Sequence, residues 1–232
     1  MGGSIVFQGA TGGWKSEVER YQRQMLAVID YFVDCMYVYG IPGLATKVDR
    51  DLVQFPIINA GSPDAHPAHV LADVACMLRY TRDDLKKARV GWLGCTNGTL
   101  FSLIQGLRYF PFSLQPLEDR PTLETYARHC GVKVDFVDTP QQAVEGCNFV
   151  YAGCRSGLDE EMSQQWKVDD ALLAHAAPKA RVLLGTSPMQ AIEVASDILA
   201  SPASLLLLQS ENRLRVHKRL LHWVFLENER AI

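Results

Sequence analysis

The 232-residue chain lacks a basic excess: 23 lysines and arginines stand against 26 aspartates and glutamates, a formal net charge of −3. A nucleic-acid footprint shows as clustered positive charge, so nucleic acid is not expected as a partner. Long apolar runs are also missing. Stretches such as "SLLLLQ" at 204–209 fall far short of the roughly 20 residues that span a bilayer, so no membrane segment is expected. The opening "MGGSIVFQGATGGWK" has no basic stretch followed by an apolar core, which reads as no signal peptide and a cytoplasmic location. Six cysteines, at 35, 76, 95, 130, 147 and 154, include no C-x-x-C pair and no zinc spacing. They read as reduced, small, buried hydrophobes, and neither a metal nor a cofactor is expected. Internal repeats and low-complexity linkers are absent as well.

What is present is an ordinary globular composition, 48% hydrophobic and 21% charged, with a regular alternation of apolar runs and helical periods. "SIVFQ" (4–8), "CMYVYG" (35–40), "FPIINAG" (55–61), "RVGWLG" (89–94), "FSLQ" (112–115), "VKVDFVD" (132–138), "CNFVYAG" (147–153), "RVLLG" (181–185) and "SLLLLQ" (204–209) read as strands. Between them lie helical stretches. Val18, Tyr21, Met25, Val28, Ile29 and Phe32 make one stripe, and Val70, Leu71, Val74, Met77 and Leu78 another. Further helices are expected near 99–109, 119–130, 159–165, 168–176, 189–199 and 211–229. Strands separated by helices imply parallel sheets with right-handed crossovers. The fold class is α/β, two stacked Rossmann-like lobes dividing near residues 80–88.

In such folds ligands sit beyond the carboxyl ends of the strands. Three loops lie there: "NAGSPDAHP" (59–67), "GCTNGT" (94–99) and "GTSPM" (185–189). Pro67 can open a helix, which puts His66 and His69 at its start, where N–H groups point outward and the dipole favours an anion. They are candidate ligand contacts; the plainer reading is a helix cap at His66 and a surface residue at His69. Gly91, Gly94 and Gly98 do not have the G-x-G-x-x-G spacing of a dinucleotide loop, and they read as a glycine-assisted turn with Thr96 or Asn97 capping a helix. Asn97 could instead face a ligand. Thr186 or Ser187 can cap a helix opened by Pro188. No Gly-x-Ser-x-Gly elbow supports a hydrolase. Arg213, Arg215, Lys218 and Arg219 read mostly as a solvated helix face.

Together these stretches resemble the aspartate/ornithine carbamoyltransferase family, in order and over nearly the whole chain. "FPIINAGSPDAHPAHVLADVACML" is similar to the family's strand, loop and helix with His-Pro-x-Gln-x-Leu-x-Asp. "RVGWLGCTNGTLFSLI" is similar to the opening of its second domain, and "DTPQQAVEGCNFVYAG" to the segment before its substrate loop. "VLLGTSPM" stands at the family's His-Cys-Leu-Pro, and "SPASLLLLQSENRLRVHKRLLHW" at its closing strand and last helix. "GGWKSEVERYQRQM" resembles its Lys-Gly-Glu loop. The resemblance implies a first lobe at 1–84, an amino-acid-binding lobe at 85–208, and a last helix at 209–232 returning to the first lobe. It implies a homotrimer with sites at subunit interfaces, where Lys15 enters the neighbour's site.

The departures shape the functional expectation. The family's Ser-x-Arg-Thr-Arg loop, which cradles carbamoyl phosphate, has no counterpart here, so the first lobe reads as trimmed. Tyr39 stands where the family has an arginine, His69 at its glutamine, and Thr186 at its cysteine. His66, Pro67, Lys15, Asn97, Pro188 and Arg213 match. The expectation is an amino-acid-like ligand between the lobes. His66, His69 and Lys15 would do the chemistry, and Asn97, Arg213, Tyr39, Thr186 and Ser187 the binding, without ordinary carbamoyl transfer. Two alternatives stay open: a true carbamoyltransferase completed by another chain, and a non-catalytic amino-acid-binding or partner protein.

Overall fold

A computed structural model describes residues 28–40, 54–117, 120–153, 165–185 and 194–227. Six strands are present among them: β1 (Met36–Tyr39), β2 (Ile57–Gly61), β3 (Arg89–Leu93), β4 (Ser113–Pro116), β5 (Phe149–Ala152) and β6 (Arg181–Leu184). The helices are α1 (Pro67–Thr81), α2 (Gly98–Gly106), α3 (Arg120–Cys130), α4 (Pro140–Val144), α5 (Asp170–Leu173), α6 (Ser196–Ala200) and α7 (Leu206–His222). Strands β1 and β2 pair in parallel, and a second sheet of order β4-β3-β5-β6 is parallel throughout. The expected α/β class with parallel sheets is therefore the observed one.

The second sheet is buried on both faces, which is why its strands read as near-continuous apolar runs. All four residues of β5 are buried, as are Val90 to Leu93 of β3. Trp92 and Tyr151 lie side by side in the middle, ring centroids 5.4 Å apart. A Cβ on Gly91 would stand 2.2 Å from the Ala143 carbonyl oxygen, so only glycine lets α4 pack this closely on β3. Helix α1 lies between the two sheets in sequence and packs against α7, whose Asn212 donates to the Ala72 carbonyl at 3.4 Å and to Cys76 Sγ at 3.3 Å.

Three expectations change. "SLLLLQ" is not a strand: only Ser204 bridges to Val182, and α7 begins at Leu206. Four consecutive leucines carry no period, and leucine is a strong helix former, so the run follows its tertiary contacts. Residues 132–138 run extended beside β4, with Asp135 N donating to Leu114 O at 3.0 Å and Val137 N to Pro116 O at 3.3 Å, without becoming a regular strand. Val28 and Phe32, read as part of one apolar helical stripe, are exposed. The expected strand at 4–8, the stripe before Val28, all of the 159–165 helix but its last residue, and residues 189–193 of the 189–199 helix lie outside the described residues; the described end of the latter is α6. None of the described helices is long and apolar enough to cross a membrane.

Candidate functional site

The site forms where the carboxyl ends of β1, β2 and β6 meet the start of α1 and the middle of α7. Pro67 opens α1, and His66 occupies its cap position without making a side-chain cap bond. Its backbone N–H is instead held by Gly98 O at 3.0 Å and Ser102 Oγ at 2.8 Å, which ties the start of α1 to the start of α2. Gly61, at φ +146°, leaves room for the ring: a Cβ there would stand 2.4 Å from His66 Nε2. The ring meets Tyr39 edge-on at 6.2 Å and His69 at 4.9 Å.

His69 is not a surface residue. It is 4% exposed and faces inward, toward α7. Its Nε2 receives a hydrogen bond from Arg213 Nη2 and lies 3.3 Å from Asp73 Oδ2, one helical turn on. Arg213 correspondingly leaves the solvated face assigned to its neighbours. Asp73 is fully buried and accepts from Gln209 Nε2 at 2.8 Å and Tyr151 Oη at 2.9 Å. Gln209 also brackets the end of β6: Leu184 N donates to its Oε1 at 2.9 Å, and its Nε2 donates to Leu184 O at 3.1 Å. One buried carboxyl thus joins α1, α7, β5 and β6.

Burial sets the protonation states. It pushes Asp73 up to about 7, against the pull of Arg213, Gln209 and Tyr151. It holds His69 down to about 3, with Arg213 adding to the effect and the Leu184 backbone opposing it. His66 is held down to about 4 by burial and then by His69, Arg213 and His217. His217, on the next turn of α7, is lowered by burial and Arg213. The His69–Asp73 distance is that of an ion pair, yet burial favours the uncharged form of both partners, holding His69 down and pushing Asp73 up. Burial governs, because a charge on either would be desolvated. His66 Nδ1, Arg213 Nε and His217 Nδ1 are buried without a protein partner. Each such group costs about 1–3 kcal/mol unless water or ligand meets it.

Of the residues expected at the site, Tyr39, His66, His69 and Arg213 come together. Asn97 lies at the start of α2, where its Oδ1 accepts from Thr99 N at 2.9 Å and Leu100 N at 3.1 Å, so the capping role is the one its geometry shows. Thr99 Oγ1 in turn donates to Gly185 O at 3.3 Å, linking α2 to the end of β6. Lys15, Thr186 and Ser187 lie outside the described residues. Among those residues no group of three or more His, Cys, Asp or Glu side chains could hold a metal ion. Sequence reasoning did not single out Asp73, Tyr151, Gln209 or His217. Asp73 had a signal, since it closes the His-Pro-x-Gln-x-Leu-x-Asp pattern four residues after His69. Gln209 was hidden at the end of a leucine run.

Comparison with known proteins shows what the chain is similar to. Residues 86–224 match the model of the aspartate/ornithine carbamoyltransferase Asp/Orn binding domain. The ornithine carbamoyltransferase of Nitratidesulfovibrio vulgaris strain DP4 is 31% identical over 245 residues, covering 98% of this chain and 79% of that one. That of Oleidesulfovibrio alaskensis is 31% identical over 242 residues, covering 97% and 78%. In structure, ornithine carbamoyltransferase from Burkholderia thailandensis E264 superposes with a TM-score of 0.74 at 24% identity, over 88% of this chain and 70% of that one. A mitochondrial ornithine carbamoyltransferase from Coccidioides immitis gives 0.77 at 19% identity, over 90% and 72%. With a family model matched over more than half of its length and relatives 31% identical over nearly all of it, the chain belongs to the aspartate/ornithine carbamoyltransferase family.

Proposed function

We propose that this chain binds an amino-acid-derived substrate by its carboxylate, at Arg213, in the cleft between the two sheets, and acts on it by chemistry other than ordinary transfer from carbamoyl phosphate. The observation that carries this reading is the company Arg213 keeps. It is the one cation hydrogen-bonded within the cluster among the described residues, and it is met by uncharged imidazoles and a buried carboxyl. Transfer from a phosphate dianion rests on preorganised cations and N–H donors around the developing charge. Loss of one such donor costs roughly 3–4 kcal/mol of barrier. Tyr39, at the position where the family resemblance has an arginine, supplies none.

In this reading His66 is the acid–base group. Its Nδ1 is buried without a partner, and its ring sits at the mouth of the cleft. Asn97, Thr186 and Ser187 border the ligand, His69 works from behind Arg213, and Lys15 enters from a neighbouring subunit of a homotrimer. The chain divides at 1–84, 85–208 and 209–232, requires no cofactor, and works in the cytoplasm without nucleic-acid or membrane partners. A second reading keeps carbamoyl transfer, the activity that the 31% identical relatives are named for, with another chain completing the site.

The pure protein is assayed for ureido product with carbamoyl phosphate and ornithine, aspartate or related amines, while its melting temperature is followed with the amino acids alone. The expected result is stabilisation without ureido product. Turnover near about one per second, within the ordinary enzyme range, overturns the reading. Activity that appears only on adding a partner chain selects the second one.

A further inference from the structure

Side chains from three elements close a circuit around the site. On α7, Arg213 and His217 stand one turn apart. Helical side chains lean toward the N-terminus, so the His217 imidazole lies over the turn that carries Arg213. Arg213 Nη2 donates to His69 Nε2 on α1. The His69 ring meets His66, and His66 meets Tyr39 on β1. Two residues back on the same face of β1, Tyr37 meets the His217 ring edge-on at 5.4 Å, and its Oη donates to the His217 carbonyl at 3.2 Å. Three members of this circuit have a buried polar atom without a protein partner: His66 Nδ1, Arg213 Nε and His217 Nδ1.

We propose that His217 is a ligand-binding residue of this site, and that Arg213 Nε and His217 Nδ1, one turn apart on α7, each hold one oxygen of the ligand carboxylate. This deepens the carboxylate-binding reading of Arg213 given above and rests on it.

Several observations support it. His69 takes up Nη2, which leaves Nε as a guanidinium donor that meets no protein group. A neutral imidazole carries one proton, and with that proton on Nδ1 His217 is a second donor beside it. A buried donor without an acceptor is costly, and a carboxylate, which accepts at both oxygens, satisfies the two together. Tyr37 fixes the ring that presents Nδ1, because it touches both the imidazole and the backbone of His217. Burial and the neighbouring guanidinium both favour the uncharged imidazole. The grip therefore carries a single positive charge, which a carboxylate balances and a phosphate dianion exceeds. His66 Nδ1 stays free for acid–base work. None of the three atoms touches solvent, so an entering ligand has to displace a side chain. Tyr39, 74% exposed and edge-on to His66, is the one free to turn, and exposed side chains change rotamer within nanoseconds.

The experiment is calorimetric titration of the full chain with L-ornithine and with putrescine, its decarboxylated counterpart. The parent binds ornithine and not putrescine. Losing a hydrogen bond to a charged group, His217→Leu binds ornithine at least about tenfold more weakly. His217→Asn, whose side-chain amide falls close to the place of Nδ1, restores the affinity. ¹⁵N NMR of the parent needs no variant: ornithine puts the His217 ring proton on Nδ1, and an Nδ1 that stays unprotonated overturns the grip. If His217→Leu binds like the parent while Arg213→Met does not bind, His217 is overturned and the carboxylate reading of Arg213 stands. If the leucine and asparagine variants weaken alike, the ring serves only to pack against Tyr37, and the proposal falls with the Arg213 reading intact. If the parent binds neither compound, or both equally, the carboxylate site itself is overturned and the proposal with it.

Discussion

Replacing His69 with glutamine removes one buried imidazole, and its effect on the pH dependence of stability can be worked out. In the unfolded chain the ring takes up a proton near 6.5; in the folded protein it does so only near about 3. Between those values the unfolded chain carries the extra proton. The stability tied to the neutral ring is therefore complete above the unfolded value and is lost as pH falls toward the folded one. Asp73 works in the opposite direction: its folded value, about 7, lies above the ordinary 3.8, so its contribution is present at low pH and is lost as pH rises through neutrality. Going from pH 7 to pH 5, the His69 contribution falls by about 2 kcal/mol. A chain of this size loses roughly 2–4 °C of melting temperature per kcal/mol, so the parent should lose roughly 4–8 °C more than His69→Gln over that interval. Melting curves of both proteins across the range make the comparison, with every surface group common to the two. Parallel curves would refute the reasoning, because His69 would then titrate alike in the folded and unfolded chains.

Gln209→Leu keeps the volume but leaves Leu184 N and one oxygen of Asp73 buried without partners. At about 1–3 kcal/mol each, chemical denaturation should show a loss of roughly 2–6 kcal/mol, and a loss under about 1 kcal/mol contradicts the assigned network. Asn97→Ala removes two cap bonds and should cost about 1 kcal/mol, whereas His66→Ala, with no cap bond to lose, should cost less than that while abolishing any response to ligand.

Much of the architecture was legible because it depends on period and punctuation. The strands at 36–39, 57–61, 89–93, 149–152 and 181–184 are apolar runs closed by turns, and Pro67 and Asn97 mark helix starts by mechanisms that act within a few residues. The errors share one cause. "SLLLLQ" has no period of its own, and whether it extends or coils depends on Gln209 reaching both Leu184 and Asp73 across the molecule. The 132–138 segment alternates like a strand, yet only Asp135 and Val137 have a backbone bond to the β4 side. His69 was misjudged in the same way. First-turn residues of a helix are commonly exposed, and nothing local says that α7 will bring a guanidinium to it.

Buried polar residues are the hardest to read from sequence because their partners lie far away along the chain. Asp73 finds Tyr151 and Gln209 at separations of 78 and 136 residues, and His69 finds Arg213 at 144. Yet these residues do more than close the fold. A carboxyl with no exposure gains stability only if every neighbour is a donor or the carboxyl is itself neutral. Here Gln209 and Tyr151 supply donors, while His69, facing Arg213, supplies a lone pair. A glutamine at position 69 could turn its amide either way and would leave Asp73 indifferent to Arg213. An imidazole cannot: whichever group its Nε2 serves, the other must adjust. The imidazole at position 69 therefore ties the guanidinium of α7 to the carboxyl held in the core, through contacts that no local pattern in the sequence announces.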